Sequence, residues 1–183
     1  GNPNYIAEIT GINVIADFRN RDIAAGGQGA PLVPAFHKAV FSHATIDRVI
    51  VNLGGIANIS VLPSSLTQAS APDSHVFGFD TGPANLLMDA WCYQHTAQPY
   101  DHNGAFAASG EVLPELLALL LAHPFFALPH PKSTGREDFN LAWLTTQLDQ
   151  YQTTHATPKP ASVQATLAAL TATTVCNSID SLP

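Results

Sequence analysis

The chain has 183 residues, 46% of them hydrophobic and 11% charged, which is enough apolar mass for a buried core in one domain or in parts of two. Its formal net charge of −7 argues against a non-specific nucleic-acid binder, which needs a basic face to displace counterions. No apolar run reaches the ~20 residues that a bilayer-spanning helix requires, so a membrane protein is not expected.

In chain order, Ile6 and Ile9 have helical spacing, closed by Gly11. Ile12 to Phe18 alternates toward a strand. Arg19 to Pro34 is a loop rich in Gly and charge, and Ala35 to Phe41 is helical. Val49 to Leu53 and Ile56 to Leu62 are strands around Gly54-Gly55, the pattern of a hairpin. Pro63 to Ser74 is expected to be an exposed loop, and Val76 to Phe79 a third short strand. Helices follow over Asn85 to His95, Glu111 to Leu121 and Asp138 to Leu148, with Asp138 as a cap, and over Ser162 to Ile179, with Ser162 as N-cap. Strands joined by tight turns and followed by helices give α/β or α+β layering. Cys92 and Cys176 form no C-x-x-C pair; a disulfide between them stays open, and two buried free thiols of a reducing compartment are expected. There is no signal-peptide pattern, and a chain that opens Gly1-Asn2-Pro3 without Met reads as a fragment.

The most informative stretch is Val76 to Asn85. Asp80 ends an apolar strand, and Gly82-Pro83 turns the chain into a helix. An acid held there can act as a base beside an anion bound by the N–H groups of the turn, or it can simply cap that turn. Arg19 and Arg21 offer guanidinium forks for a carboxylate or phosphate, or salt bridges with Asp17 and Asp22 beside them. The loop Ala25 to Pro31, with Gly26, Gly27 and Gly29, allows a ligand close to the backbone, although it is not a Walker A sequence. The Gly54-Gly55 hairpin, flanked by Asn52 and Asn58, can hold phosphates or be a plain turn. Lys132 to Glu137 mixes cations and hydroxyls, suited to a phosphate or to a helix start. His123 and His130 read as surface residues. The eight histidines have no metal-ligand spacing, so no protein-held transition metal is expected. No G-x-S-x-G elbow supports a hydrolase triad.

Taken in order, seven segments make the chain resemble the anhydro-N-acetylmuramic acid kinase family. They are Val14 to Arg19, Ala24 to Pro34, Asn52 to Ser60, Gly78 to Pro83, Tyr100 to Gly104, Pro131 to Glu137 and Val163 to Leu167. The resemblance implies part of a two-domain α/β fold of the actin, hexokinase and sugar-kinase type. Residues 1–45 would end the first domain and 46–183 would form most of the second. It implies ATP with Mg²⁺, an amino-sugar substrate and a cytoplasmic enzyme of cell-wall recycling; a homodimer is left open. The family hydrolyses the 1,6-anhydro ring of anhydro-N-acetylmuramic acid and phosphorylates O6, giving N-acetylmuramic acid 6-phosphate.

By the same resemblance Asp80 is the catalytic base. Arg19, Arg21, Gly27, Gly82 and Asn85 fall on the substrate side, with Arg19 or Arg21 meeting the lactyl carboxylate. Asn52, Gly54, Gly55 and Asn58 fall on the nucleotide side. Ala84 departs from the family, which has Gly there; a methyl at this point would crowd a phosphate or stiffen the turn. The family's N-terminal Gly-Thr-Ser-x-Asp-Gly segment and its C-terminal Gly-rich segment are not in the chain, so the isolated chain is expected to be inactive. Two alternatives stand beside this reading. One is a non-catalytic module that binds amino sugars or peptidoglycan fragments. The other is a glycosidase pairing Asp80 with Asp89 or Asp101.

Overall fold

The computed structural model describes residues 2–70 and 75–182, which form an α/β structure. Three short helices come first: α1 (Pro3–Thr10), α2 (Phe18–Ala24) and α3 (Pro34–Phe41). Asn2 caps α1 through Oδ1, which accepts from the Asn4 N–H at 3.0 Å, and Gly11 closes it at φ +66. Residues 11–17 form no strand, contrary to their alternating pattern. Alternation specifies a strand only where a neighbour pairs with it, and Ile12 and Ile15 here stand exposed.

The sheet is built from β1 (Arg48–Leu53), β2 (Ile56–Leu62) and β3 (Phe77–Pro83) in the order β1-β2-β3, both pairs antiparallel. The expected Gly54-Gly55 hairpin joins β1 to β2. Helix α4 (Ser65–Ser70) occupies part of the expected loop, started by Ser64 Oγ, which accepts from the Thr67 N–H at 3.1 Å. The 71–74 part of that loop lies outside the described residues. β3 runs on to Pro83, so Asp80 sits inside the strand and not at its end. A register shift between Ala57 and Asn58 makes Thr81 the extra residue of a bulge.

The remaining helices are α5 (Asn85–Thr96), α6 (Ala105–Ala108), α7 (Pro114–Leu121), α8 (Leu141–Gln152) and α9 (Pro160–Asp180), with 3₁₀ turns at His102–Gly104 and Pro124–Ala127. Leu116 and Leu120, four residues apart on α7, meet Leu144 and Leu148 of α8 and Val163, Leu167 and Leu170 of α9 in one core. Trp91 of α5 joins it and donates Nε1–H to Pro160 O at 2.9 Å. Asn140, not Asp138, caps α8, accepting from the Trp143 N–H at 2.9 Å. α9 starts at Pro160, two residues before the expected cap. That frees Ser162 and Thr166 to accept from the backbone N–H groups of Glu111 and Leu113, at 3.2 and 3.0 Å. His123 is part of the interior edge and not simply surface: its Nδ1 accepts from the Phe125 N–H at 3.2 Å, and its ring packs on Phe139 and Trp143. No helix among the described residues is long and apolar enough to cross a membrane.

Candidate active site

Strand register assembles the site. Asn52 of β1 pairs with Asn58 of β2, and Asn58 pairs with Asp80 of β3. Directly opposed residues in antiparallel strands present side chains to the same face, so two amides and one carboxylate form a row across the sheet. Asp80 is 4% exposed. Its Oδ2 accepts from Ser133 Oγ–H at 2.9 Å and from the Thr134 N–H at 3.0 Å, while its own N–H donates to Lys132 O at 3.0 Å. Both hydrogen bonds to the carboxylate fall on Oδ2. The carboxylate is thus oriented through one oxygen and offers the other.

The 132–134 segment is itself fixed. Thr134 Oγ1–H donates to Asp138 Oδ2 at 2.6 Å. Lys132 turns inward, donating Nζ–H to the carbonyls of Phe125 and Phe126 at 3.2 and 3.1 Å, with the Phe125 ring 4.8 Å away. Burial holds its ammonium below the usual lysine range. Lys132 therefore braces the loop and is not offered to a phosphate. Ser133 and Thr134 as orienting groups for Asp80 were not legible from sequence. The only signal was that the segment combined hydroxyls with a turn.

The next row toward the start of β3 is Ile50, Ser60 and Gly78. Ser60 Oγ lies 2.9 Å from His37 Nδ1 of α3. A β-carbon on Gly78 would stand 2.8 Å from a ring carbon of Pro31 and 3.0 Å from one of Pro34, so only glycine lets this segment rest on the sheet. The Gly-rich loop is thereby carried onto the Asp80 face. Arg19 Nε–H donates to Gly29 O at 3.0 Å, and Asp22 Oδ2 accepts from the Gly29 N–H at 2.7 Å. The Gly27 N–H donates to Asp22 O at 2.9 Å. Arg19 and Asp22 thus shape this loop. Arg21 lines a different, shallow concavity with Phe18, Ala25 and Leu32.

The turn after β3 differs from expectation. The N–H groups of Ala84, Asn85 and Leu86 donate to the carbonyls of Gly55, Gly54 and Gly55 at 2.9, 3.0 and 3.0 Å. Asn85 Nδ2–H adds a bond to Leu53 O at 3.2 Å. The start of α5 is stapled to the hairpin and presents no free anion cradle. Gly82, at φ +143, is buried with the Phe126 ring where a β-carbon would stand, so it acts as a packing position. The Ala84 methyl is buried with Ala57 and Val175 and points into apolar packing.

A cavity of about 590 Å³ lies against Phe79, Thr81, His130 and α9. Phe79 and Thr81 flank Asp80 along β3 and turn to the other sheet face. Among the described residues no group of three or more His, Cys, Asp or Glu is placed to hold a metal ion.

A family model described as anhydro-N-acetylmuramic acid kinase matches residues 1–182. Curated relatives of that name include one from Acinetobacter baylyi, 59% identical over 93% of this chain and 45% of its own length. One from Bordetella pertussis is 55% identical over 97% of the chain and 44% of its own length. One from Saccharophagus degradans is 53% identical over 98% and 45%. The chain spans less than half the length of these relatives.

Proposed function

Since the chain belongs to the anhydro-N-acetylmuramic acid kinase family, we propose that it carries the water-activating part of an ATP-dependent kinase for 1,6-anhydro-N-acetylmuramic acid. The observation that carries this reading is the Asp80 carboxylate, held through Oδ2 and open at Oδ1, in a row with two amides. In this reading Asp80 Oδ1 takes a proton from water. The water oxygen bonds to C1 of the sugar as the C1–O6 bond breaks. O6 takes the γ-phosphoryl group, the bond to the β-phosphate oxygen breaks, and ADP leaves with the sugar 6-phosphate.

Asn52 and Asn58 offer amide donors beside the transferring phosphoryl group, and the Gly54-Gly55 tip admits a close backbone approach. Asp80 with the two Asn oxygens suits a cation that arrives on the nucleotide phosphates and keeps most of its waters. Mg²⁺ there would neutralise phosphate charge. Arg19 and Gly27 act on the sugar through the shape of the Gly-rich loop, and Arg21 remains exposed for the lactyl carboxylate. The whole enzyme would have the two-domain actin-like fold, with the Asp80 face toward its cleft, and would work in the cytoplasm.

The test is the Asp80→Asn substitution in a chain completed to the length of the relatives. ATP-dependent sugar 6-phosphate formation should fall by about 10²–10⁴-fold, with nucleotide affinity unchanged. A rate near that of the parent removes Asp80 from the chemistry. The 183-residue chain alone should form no sugar phosphate; turnover by it would refute the need for the remaining segments.

A further inference from the structure

Two of the sequence segments have no part in the chemistry above. They are Tyr100 to Gly104 and Val163 to Leu167, and the fold brings them to one cavity of about 340 Å³ behind the start of α5. Tyr100, Asp101 and Gln164 line it with Asn85, Met88 and Asp89. Its size is that of a small-molecule site and far exceeds a bare ion.

The wall is built to accept hydrogen bonds. Asp101 is fixed by the turn at Asn103 and Gly104, both at positive φ: Oδ1 accepts from the Phe106 N–H at 2.8 Å and Oδ2 from the Ala107 N–H at 2.9 Å. Each oxygen keeps a lone pair for a further donor. Gln164 is 1% exposed, and its buried Oε1 has no partner among the described residues. Buried carbonyl oxygens are almost always paired, so one left unpaired beside a cavity marks a place for a ligand donor. Burial raises the Asp89 carboxyl above its ordinary range, and its oxygens add further acceptors to the wall. No Lys, Arg or His lines the cavity, which makes it hostile to anions. Tyr100 and Met88 supply an apolar and aromatic side. Paired acceptors beside an aromatic ring suit the hydroxyl edge and the C–H face of a pyranose.

We propose that this cavity binds a neutral, hydroxyl-rich sugar ring, as a site separate from the Asp80 carboxylate and selective against sugars that carry a carboxylate or phosphate. The proposal stands independently of the phosphoryl-transfer reading, because it needs neither nucleotide nor turnover.

The test is titration of the 183-residue chain with N-acetylglucosamine, followed by NMR and calorimetry. Saturable binding is expected, with shifts at Gln164 and Tyr100. Gln164→Leu should weaken it by about tenfold through the lost acceptor. Tyr100→Ala, at an exposed position that does not threaten folding, should weaken it several-fold. N-acetylmuramic acid, which adds a carboxylate, should bind at least about tenfold more weakly. No saturable binding up to about 50 mM, unchanged affinity in the Tyr100 variant, or equal affinity for the acid would each overturn the proposal.

Discussion

Residues 2–46 and residues 47–182 contain helices of similar local quality but opposite burial. Helices α1, α2 and α3 have no buried residue, while α9 alone buries ten. Ile6, Ile9, Ile12, Ile15, Phe18 and Ile23 all stand exposed in the first region. The second region closes on a core shared by α5, α7, α8 and α9. The first region meets the second through Pro31, Pro34 and His37, which rest on Gly78 and Ser60, and through the Phe41 and Ala44 carbonyls, which accept from Arg48 Nη1–H and the Leu66 N–H. The site is therefore a rigid carboxylate row on a well-packed sheet, overlain by a segment with no core of its own. Position comes from the second region and shape from the first.

The sharpest way to break this comparison is to truncate one apolar side chain in each region. Leu120→Ala should cost about 2–5 kcal/mol in urea unfolding, whereas Ile9→Ala should stay within about 0.5 kcal/mol. Equal costs would show that the first region has a core after all. Two glycines repeat the contrast on a smaller scale. A β-carbon at Gly110 would fall on the Ala161–Ser162 peptide, so Gly110→Ala should cost about 1–3 kcal/mol. Gly11 has open space, and Gly11→Ala should cost only about 1 kcal/mol, from its positive φ.

Ser133→Ala, in the chain completed to relative length, should lower kcat by about tenfold with KM nearly unchanged. An altered KM at constant kcat would assign Ser133 to binding instead.

The smallest effect is a pH slope. Burial lowers the His123 pKa, with the Asp138 charge acting in the opposite sense. The unfolded chain then binds a proton below about pH 6.5 that the folded chain resists. This contribution is complete above that pH and is lost as pH falls through the unfolded value toward the folded one. His123→Asn keeps a cap acceptor for Phe125 N–H and should flatten stability between about pH 5 and 7. An unchanged slope would place the titration elsewhere.

Much of the second region was legible because its signals are local. The Gly pair between two β-branched runs marks the hairpin, and leucines at helical spacing mark α7. The segment from Ile12 to Phe18 was misleading because alternation does not reveal whether a partner strand exists. Asp80 was identifiable as a chemical group, yet its place at the end of a strand was wrong. The Gly82-Pro83 pair, read as the turn out of the strand, lies inside β3 beyond the bulge at Thr81. The amides after it belong to the hairpin, a pairing across about thirty residues that no local pattern encodes.

The sequence by itself determined the family, the α/β class and the hairpin, and it singled out Asp80 as the proposed base, because motif order and side-chain periodicity are properties of the chain. Only the tertiary structure decided that Asn52, Asn58 and Asp80 form one row, and that Ser133 and Thr134 aim the acid. It also showed that Lys132 faces inward and that Gln164 faces a cavity with nothing bonded to its oxygen. Those facts depend on register and on contacts between distant segments. A shift of one residue in strand pairing would turn the same side chains to the opposite face.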